Sequence, residues 1–264
     1  MVNWSAKSSY TCKDLEEIVR ILRHPGGCPW DQEQTHQSIR RNFLEEAYEV
    51  AEAIDRGDVD GLKEELGDVL LQVYFHTSIE EDAGRFTLDD VADGVCKKLI
   101  YRHPHVFGDV TVDSTDQVLS NWEELKQKEK HQDTQADAVD AVARTLPALW
   151  RAEKMKKKAA KAGFDWRDIS GALDQLSEEL VELKAAALEG NGDPVEELGD
   201  LLFAAVCVAR FLDADPEDAL HAACDKFSTR FRKTEELAAQ RGLALDKLSD
   251  QEQIALWNEA KHNP

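Results

Sequence analysis

Leu44-Glu45-Glu46-Ala47-Tyr48-Glu49, followed by Glu64-Glu65-Leu66-Gly67-Asp68, decides how this chain is read. Residues three and four apart share one face of an α-helix, so Glu46 and Glu49 stand together on one helix and Glu65 and Asp68 on the next. Two such pairs facing each other make a four-carboxylate cage. Acids gathered in a helical core repel one another at a cost of several kcal/mol each unless they are neutralised, so the pattern calls for a bound cation. Hard oxygen ligands point to magnesium, or to manganese as its substitute.

The pattern returns as Glu178-Glu179-Leu180-Val181-Glu182 and Glu196-Glu197-Leu198-Gly199-Asp200. Glu179 stands 133 positions after Glu46, and Asp200 stands 132 after Asp68, so the chain reads as a tandem duplication. With about a fifth of the residues acidic, five prescribed acidic positions arise by chance only about 0.1 times in a chain this long. The plain reading of a Glu-rich helix is a solvated face. Against it stands the phase of Leu66, Val69, Leu70 and Val73, which puts Glu65 and Asp68 at the border of the apolar face.

The 264 residues suggest one large or two medium domains, and the repeat decides for two. We place the first at 1–130, a polar linker at 131–146 and the second at 147–264. Fifty-three acidic residues against 32 basic ones give a formal charge of −21. Such a surface repels a phosphate backbone, which argues against duplex nucleic acid, and equally against anionic membranes. Five cysteines without a C-x-x-C pair fit a reducing compartment better than a disulfide framework. Residues 1–10 lack an apolar signal core, and the longest apolar run, Leu201 to Ala209, is too short to span a bilayer. The expectation is a soluble, cytoplasmic protein.

Apolar residues at helical spacing recur along the chain, and no segment alternates with period two, so the fold class is all-α, with helical bundles. The spacing predicts helices from Asp14 to His24, from an N-cap at Ser38 to about Arg56, from Val59 to Ala83, from Leu88 to Arg102 and from Thr115 to Lys130. Cys28-Pro29-Trp30-Asp31 reads as a loop, and Pro104 predicts an irregular stretch over 103–108. The second half repeats the order, with Gly163-Phe164-Asp165-Trp166 where Cys28-Pro29-Trp30-Asp31 stood, and with a helix from Pro216 to Gly242. Units this small with acids on the inner face are expected to associate as dimers.

A cation gripped by carboxylates needs a ligand to complete its shell, and phosphate oxygens are the usual one. Lys98 and Arg102 share a helix face, and Lys226 and Arg230 repeat the spacing, so each pair is a candidate phosphate contact or a pair of surface cations facing acids. Trp122 and Trp257 also correspond, either stacking on a base or filling a core. Phosphate-loop, G-x-S-x-G and H-E-x-x-H motifs are absent.

Taken together, Cys28-Pro29-Trp30-Asp31, Leu44 to Glu49, Glu65 to Asp68, Arg102-His103-Pro104-His105-Val106-Phe107 and Gly163-Phe164-Asp165-Trp166 resemble the MazG family in its two-repeat form, over nearly the full length. The resemblance implies an all-α enzyme that cleaves nucleoside triphosphates to monophosphate and pyrophosphate using magnesium. It implies metal ligands at Glu46, Glu49, Glu65 and Asp68 and at Glu179, Glu182, Glu197 and Asp200. It further implies phosphate contacts at Lys226 and Arg230, with Trp257 near the nucleotide and the second repeat as the working one. A carboxylate such as Glu178 or Glu179 is expected to accept the proton of the attacking water. The competing expectation is a helical module that binds metal or nucleotide without turnover.

Overall fold

The computed structural model describes residues 4–130, 132 and 134–262, which contain helices and turns but no strand. The chain divides into two compact units, the first ending at Leu125 and the second beginning at Lys126.

The first unit opens with α1 (Cys12–Arg23), started by a reciprocal Thr11/Asp14 capping box. A short α2 (Pro29–Glu33) stands where a loop was expected, because Pro29 falls at the first helical position, where its missing N–H costs nothing. Next comes α3 (His36–Arg56), whose N-cap is Thr35 rather than Ser38; Ser38 is the third helical residue, and its Oγ accepts from the Thr35 N–H at 2.9 Å. Gly57 ends α3 in the left-handed conformation, and Asp58 caps α4 (Val59–Asp82) by accepting from the Gly61 N–H at 3.0 Å. Two residues thus turn the chain into an antiparallel hairpin. The core joins α1, α3 and α4 through buried Val19, Ile39, Tyr74 and Phe75, with Leu70, Leu71 and Ile79 around them. Each such side chain contributes roughly 1.5–3 kcal/mol on burial. Then follow α5 (Leu88–Arg102), a one-turn α6 (Pro104–Phe107) and α7 (Thr115–Glu129), whose last four residues belong to the second unit. Pro104 begins a turn of helix instead of preventing one, again from the first helical position.

In the second unit, the stretch expected as linker carries α8 (Gln135–Asp140), begun by a Thr134/Asp137 capping box and packed on α9 (Ala148–Lys161) with Ala138 buried. The hairpin recurs as α10 (Ile169–Glu189) and α11 (Pro194–Phe211). Asp168 and Asp193 cap the two helices, and Gly190 supplies the left-handed exit between them. The unit is completed by α12 (Pro216–Gln240), a single 3₁₀ turn (Leu245–Lys247) and α13 (Asp250–His262), with α12 packed on both α9 and α13. All five cysteines are free, and no helix among the described residues is long and apolar enough to cross a membrane.

Candidate functional site

Each hairpin carries one acidic cluster shared by its two helices. In the first unit, oxygens of Glu46 and Glu49 from α3 and of Glu65 from α4 lie within 4.8 Å of one another. In the second, Glu179 from α10 meets Glu197 and Asp200 from α11 within the same distance. Three of the four expected acids therefore converge in each unit. Asp68 and Glu182 fall outside these two groups. Residues three apart on a helix diverge by about 60°, so the two members of a pair do not reach the facing helix equally.

The fourth acids still bear on the clusters. Glu46 holds its proton more tightly than an ordinary carboxyl, first because it is partly buried, then because of Asp68, Glu49 and Glu65. Glu65 is raised by burial and then by Glu49, Glu64 and Asp68. Glu197 is raised by burial and then by Glu182, Asp200, Glu179 and Glu196. Negative charge is thus concentrated at partly dehydrated oxygens, which a hard divalent cation neutralises. The residues fit such an ion: oxygen donors only, close enough together to share one centre.

Gln175, which sequence reasoning missed, sits one turn before Glu179 and donates from Nε2 to its Oε1 at 2.6 Å. That bond orients one oxygen of the second cluster. Its signal was the four-residue spacing, hidden among many polar residues of α10. Glu178 is exposed and outside the cluster, turned by about 100° from Glu179 along the helix.

The expected cations fall differently in the two units. Lys98 is exposed, but Arg102 is 6 % exposed and its guanidinium lies 5.1 Å over the Trp122 ring. Lys226 and Arg230 line a cavity of about 380 Å³ between α12 and α13, together with Thr229, Arg232, Lys233, Lys261 and one acid, Glu236, which lies 3.6 Å from Lys233. Arg232, Lys233 and Lys261 were not anticipated, since basic residues scattered over two helices show no motif. Trp257 lines a neighbouring, apolar cavity of about 430 Å³ with Phe227, Phe231 and Ile254. Its ring centroid is 5.3 Å from that of Phe227. The second unit so combines an acid cluster, a basic pocket and an aromatic pocket.

The MazG nucleotide pyrophosphohydrolase domain matches this chain twice, over residues 34–107 and 168–234, and each match contains one acidic hairpin. The chain is 44 % identical over 249 residues to the nucleoside triphosphate pyrophosphohydrolase/pyrophosphatase MazG of Thermotoga maritima, covering 94 % of this chain and 95 % of that one. It is 42 % identical over 251 residues to the nucleoside triphosphate pyrophosphohydrolase of Escherichia coli K12, with the same coverage. A Mycolicibacterium smegmatis protein of that name is 41 % identical over 212 residues, 78 % of this chain and 63 % of that one.

Proposed function

Because this chain belongs to the MazG nucleotide pyrophosphohydrolase family, we propose that it hydrolyses nucleoside triphosphates to the monophosphate and pyrophosphate, with magnesium as its metal and manganese as substitute. The observation that carries this reading is the pair of acid clusters at matching register in both hairpins, each inside a matched domain. Glu179, Glu197 and Asp200, with Glu182 beside them, are the proposed ligands in the second unit, and Glu46, Glu49, Glu65 and Asp68 in the first. When bound, magnesium neutralises phosphate charge and makes a water easier to deprotonate.

The protein's own groups do the rest. Lys226 and Arg230 hold phosphate oxygens, Arg230 as a two-pronged donor and Lys226 as a point charge. Trp257 offers its ring to the base from the adjoining apolar cavity. Glu179, held by Gln175, or Glu178 beside it, takes the proton from the attacking water. Lys98 and Arg102 are the first unit's counterparts. The burial of Arg102 on Trp122 supports assigning turnover to the second unit, whose cations open into a cavity.

A homodimer is part of the proposal. Leu180, Val181, Leu198, Leu202 and Phe203 are 40–65 % exposed on the acid-bearing helices, which is the kind of apolar surface a partner covers.

Release of pyrophosphate from a panel of nucleoside triphosphates, with magnesium and with chelator, tests the reading. Turnover should require the metal, and its absence at every magnesium concentration would leave a binding module instead. Glu179→Gln should lower kcat at least about 100-fold and Glu46→Gln much less; the reverse order would move the working site to the first unit.

A further inference from the structure

Outside both acid clusters, the first unit holds a continuous chain of hydrogen-bonded titratable groups. His36 is the first residue of α3, and His76 and Glu80 lie one turn apart near the end of α4. His36 Nδ1 and His76 Nδ1 are 2.7 Å apart, with the rings nearly parallel and their centroids 5.0 Å apart. Ring faces cannot approach that closely, so the contact is edge to edge, one nitrogen donating to the other. His36 Nε2 bonds Glu80 Oε1. Arg85 donates to the same carboxylate through Nε and, at 2.7 Å, through Nη2. Glu80 is 7 % exposed, and its carboxyl is held down to about 2, first by Arg85 and then by His36.

The protons follow from these contacts. An ionised Glu80 only accepts, so His36 carries its proton on Nε2. In neutral His36, Nδ1 then accepts, and His76 must donate from Nδ1, leaving its own Nε2 bare. One added proton is tolerated: it enters at the bare His76 Nε2, and a single proton still lies between the two facing nitrogens. A second added proton puts N–H groups on both facing nitrogens, and the 2.7 Å contact becomes donor against donor.

The chain lies at the open end of the α3–α4 hairpin, opposite the Gly57-Asp58 turn, so it closes the same two helices that carry Glu46, Glu49 and Glu65. His36, His76 and Glu80 line a cavity of about 380 Å³ with Phe43, Val73, Phe86 and Val91. From α1, Arg23 and His24 reach Asp82 and Arg23 also reaches Ser78; α5 faces the cavity with Val91 only, and Glu81 is bonded by the Leu88 N–H. The duplication did not copy the device. At the same offsets of 132 to 133, the second unit has Ile169, Val208 and Leu212.

We propose that His36, His76, Glu80 and Arg85 form a proton-sensitive staple that fastens the acid-bearing hairpin of the first unit, and of that unit alone, at neutral pH and releases its open end on acidification. Burial and His36 hold His76 below its ordinary 6.5, so the folded chain disfavours that proton. Protection from this source is therefore present above that ordinary value and is lost as pH falls from it toward the lowered value of the folded chain. The proposal stands whichever unit turns over.

Hydrogen exchange of the full chain at pH 7.5 and 5.5, corrected for intrinsic rates and read by mass spectrometry, tests it. Peptides covering 36–43 and 73–80 should lose about tenfold or more in protection, while those covering 169–176 and 205–212 hold theirs. His76→Val, the second unit's residue, should remove the loss, and His24→Gln, which deletes the other imidazole at this end of α4, should leave it. Equal loosening in both units, or loss persisting in His76→Val, overturns the proposal. Imidazole nitrogen NMR of the unaltered chain needs no variant: at pH 7.5 His36 should be protonated on Nε2 and His76 on Nδ1, and any other pair of states overturns it.

Discussion

Glu46, Glu65 and Glu197 bind protons more tightly in the folded chain than ordinary carboxyls do, because they are partly dehydrated and face one another's charge. A raised folded value means that stability falls as pH climbs through it, so at neutral pH each cluster works against the fold until a cation relieves it. Glu197→Gln should therefore melt higher than the unaltered chain at pH 8 in chelator, and should gain less from millimolar magnesium; thermal melts with and without metal read both. Glu80 behaves with the opposite sign. Its value is lowered, so its contribution is present above the ordinary 4.5 and is lost as pH falls toward about 2. Arg85→Gln should raise the pH at which the first unit unfolds in acid, followed by circular dichroism. Of this residue scale, the acids were legible by count and spacing. Gln175, Arg232, Lys233, Lys261 and the histidine chain were not, because their partners lie on other helices or among unremarkable polar neighbours.

The elements owe their ends to a few residues whose conformations are demanding. Gly57 has φ of +64° with nothing within 4 Å of a would-be Cβ, so Gly57→Ala should destabilise the first unit by about 1–2 kcal/mol through backbone strain alone. Gly67 lies inside α4 with the same open space, and there Gly67→Ala should stabilise the isolated chain by about 0.5–1 kcal/mol. Urea denaturation of the two variants checks the opposed signs. The long helices follow from apolar periodicity and could be placed within a few residues. The short ones could not. One turn over Pro29–Glu33 or Pro104–Phe107 is too brief for a period, and prolines that read as breakers sit at helix starts. Gln135–Asp140 forms because a capping box begins it and α9 receives Ala138, a surface invisible in a polar stretch.

At the scale of the molecule, each unit leaves much apolar surface open, the acid-bearing α10 and α11 among it. If this surface is where copies meet, the double variant Leu202→Glu, Phe203→Glu should run as a monomer in sedimentation equilibrium, where the unaltered chain runs as a dimer. Duplication, helical class and the acidic motif were all in the order of residues, because spacing along one helix and self-similarity along a chain are local or linear properties. Which three of four acids come within 4.8 Å, that Arg102 is spent on Trp122 while Arg230 lines a cavity, and that His36 meets His76 across 40 positions were decided only when the helices packed. Those outcomes depend on how far each side chain reaches toward an element distant in sequence, and a one-dimensional pattern carries no such distance.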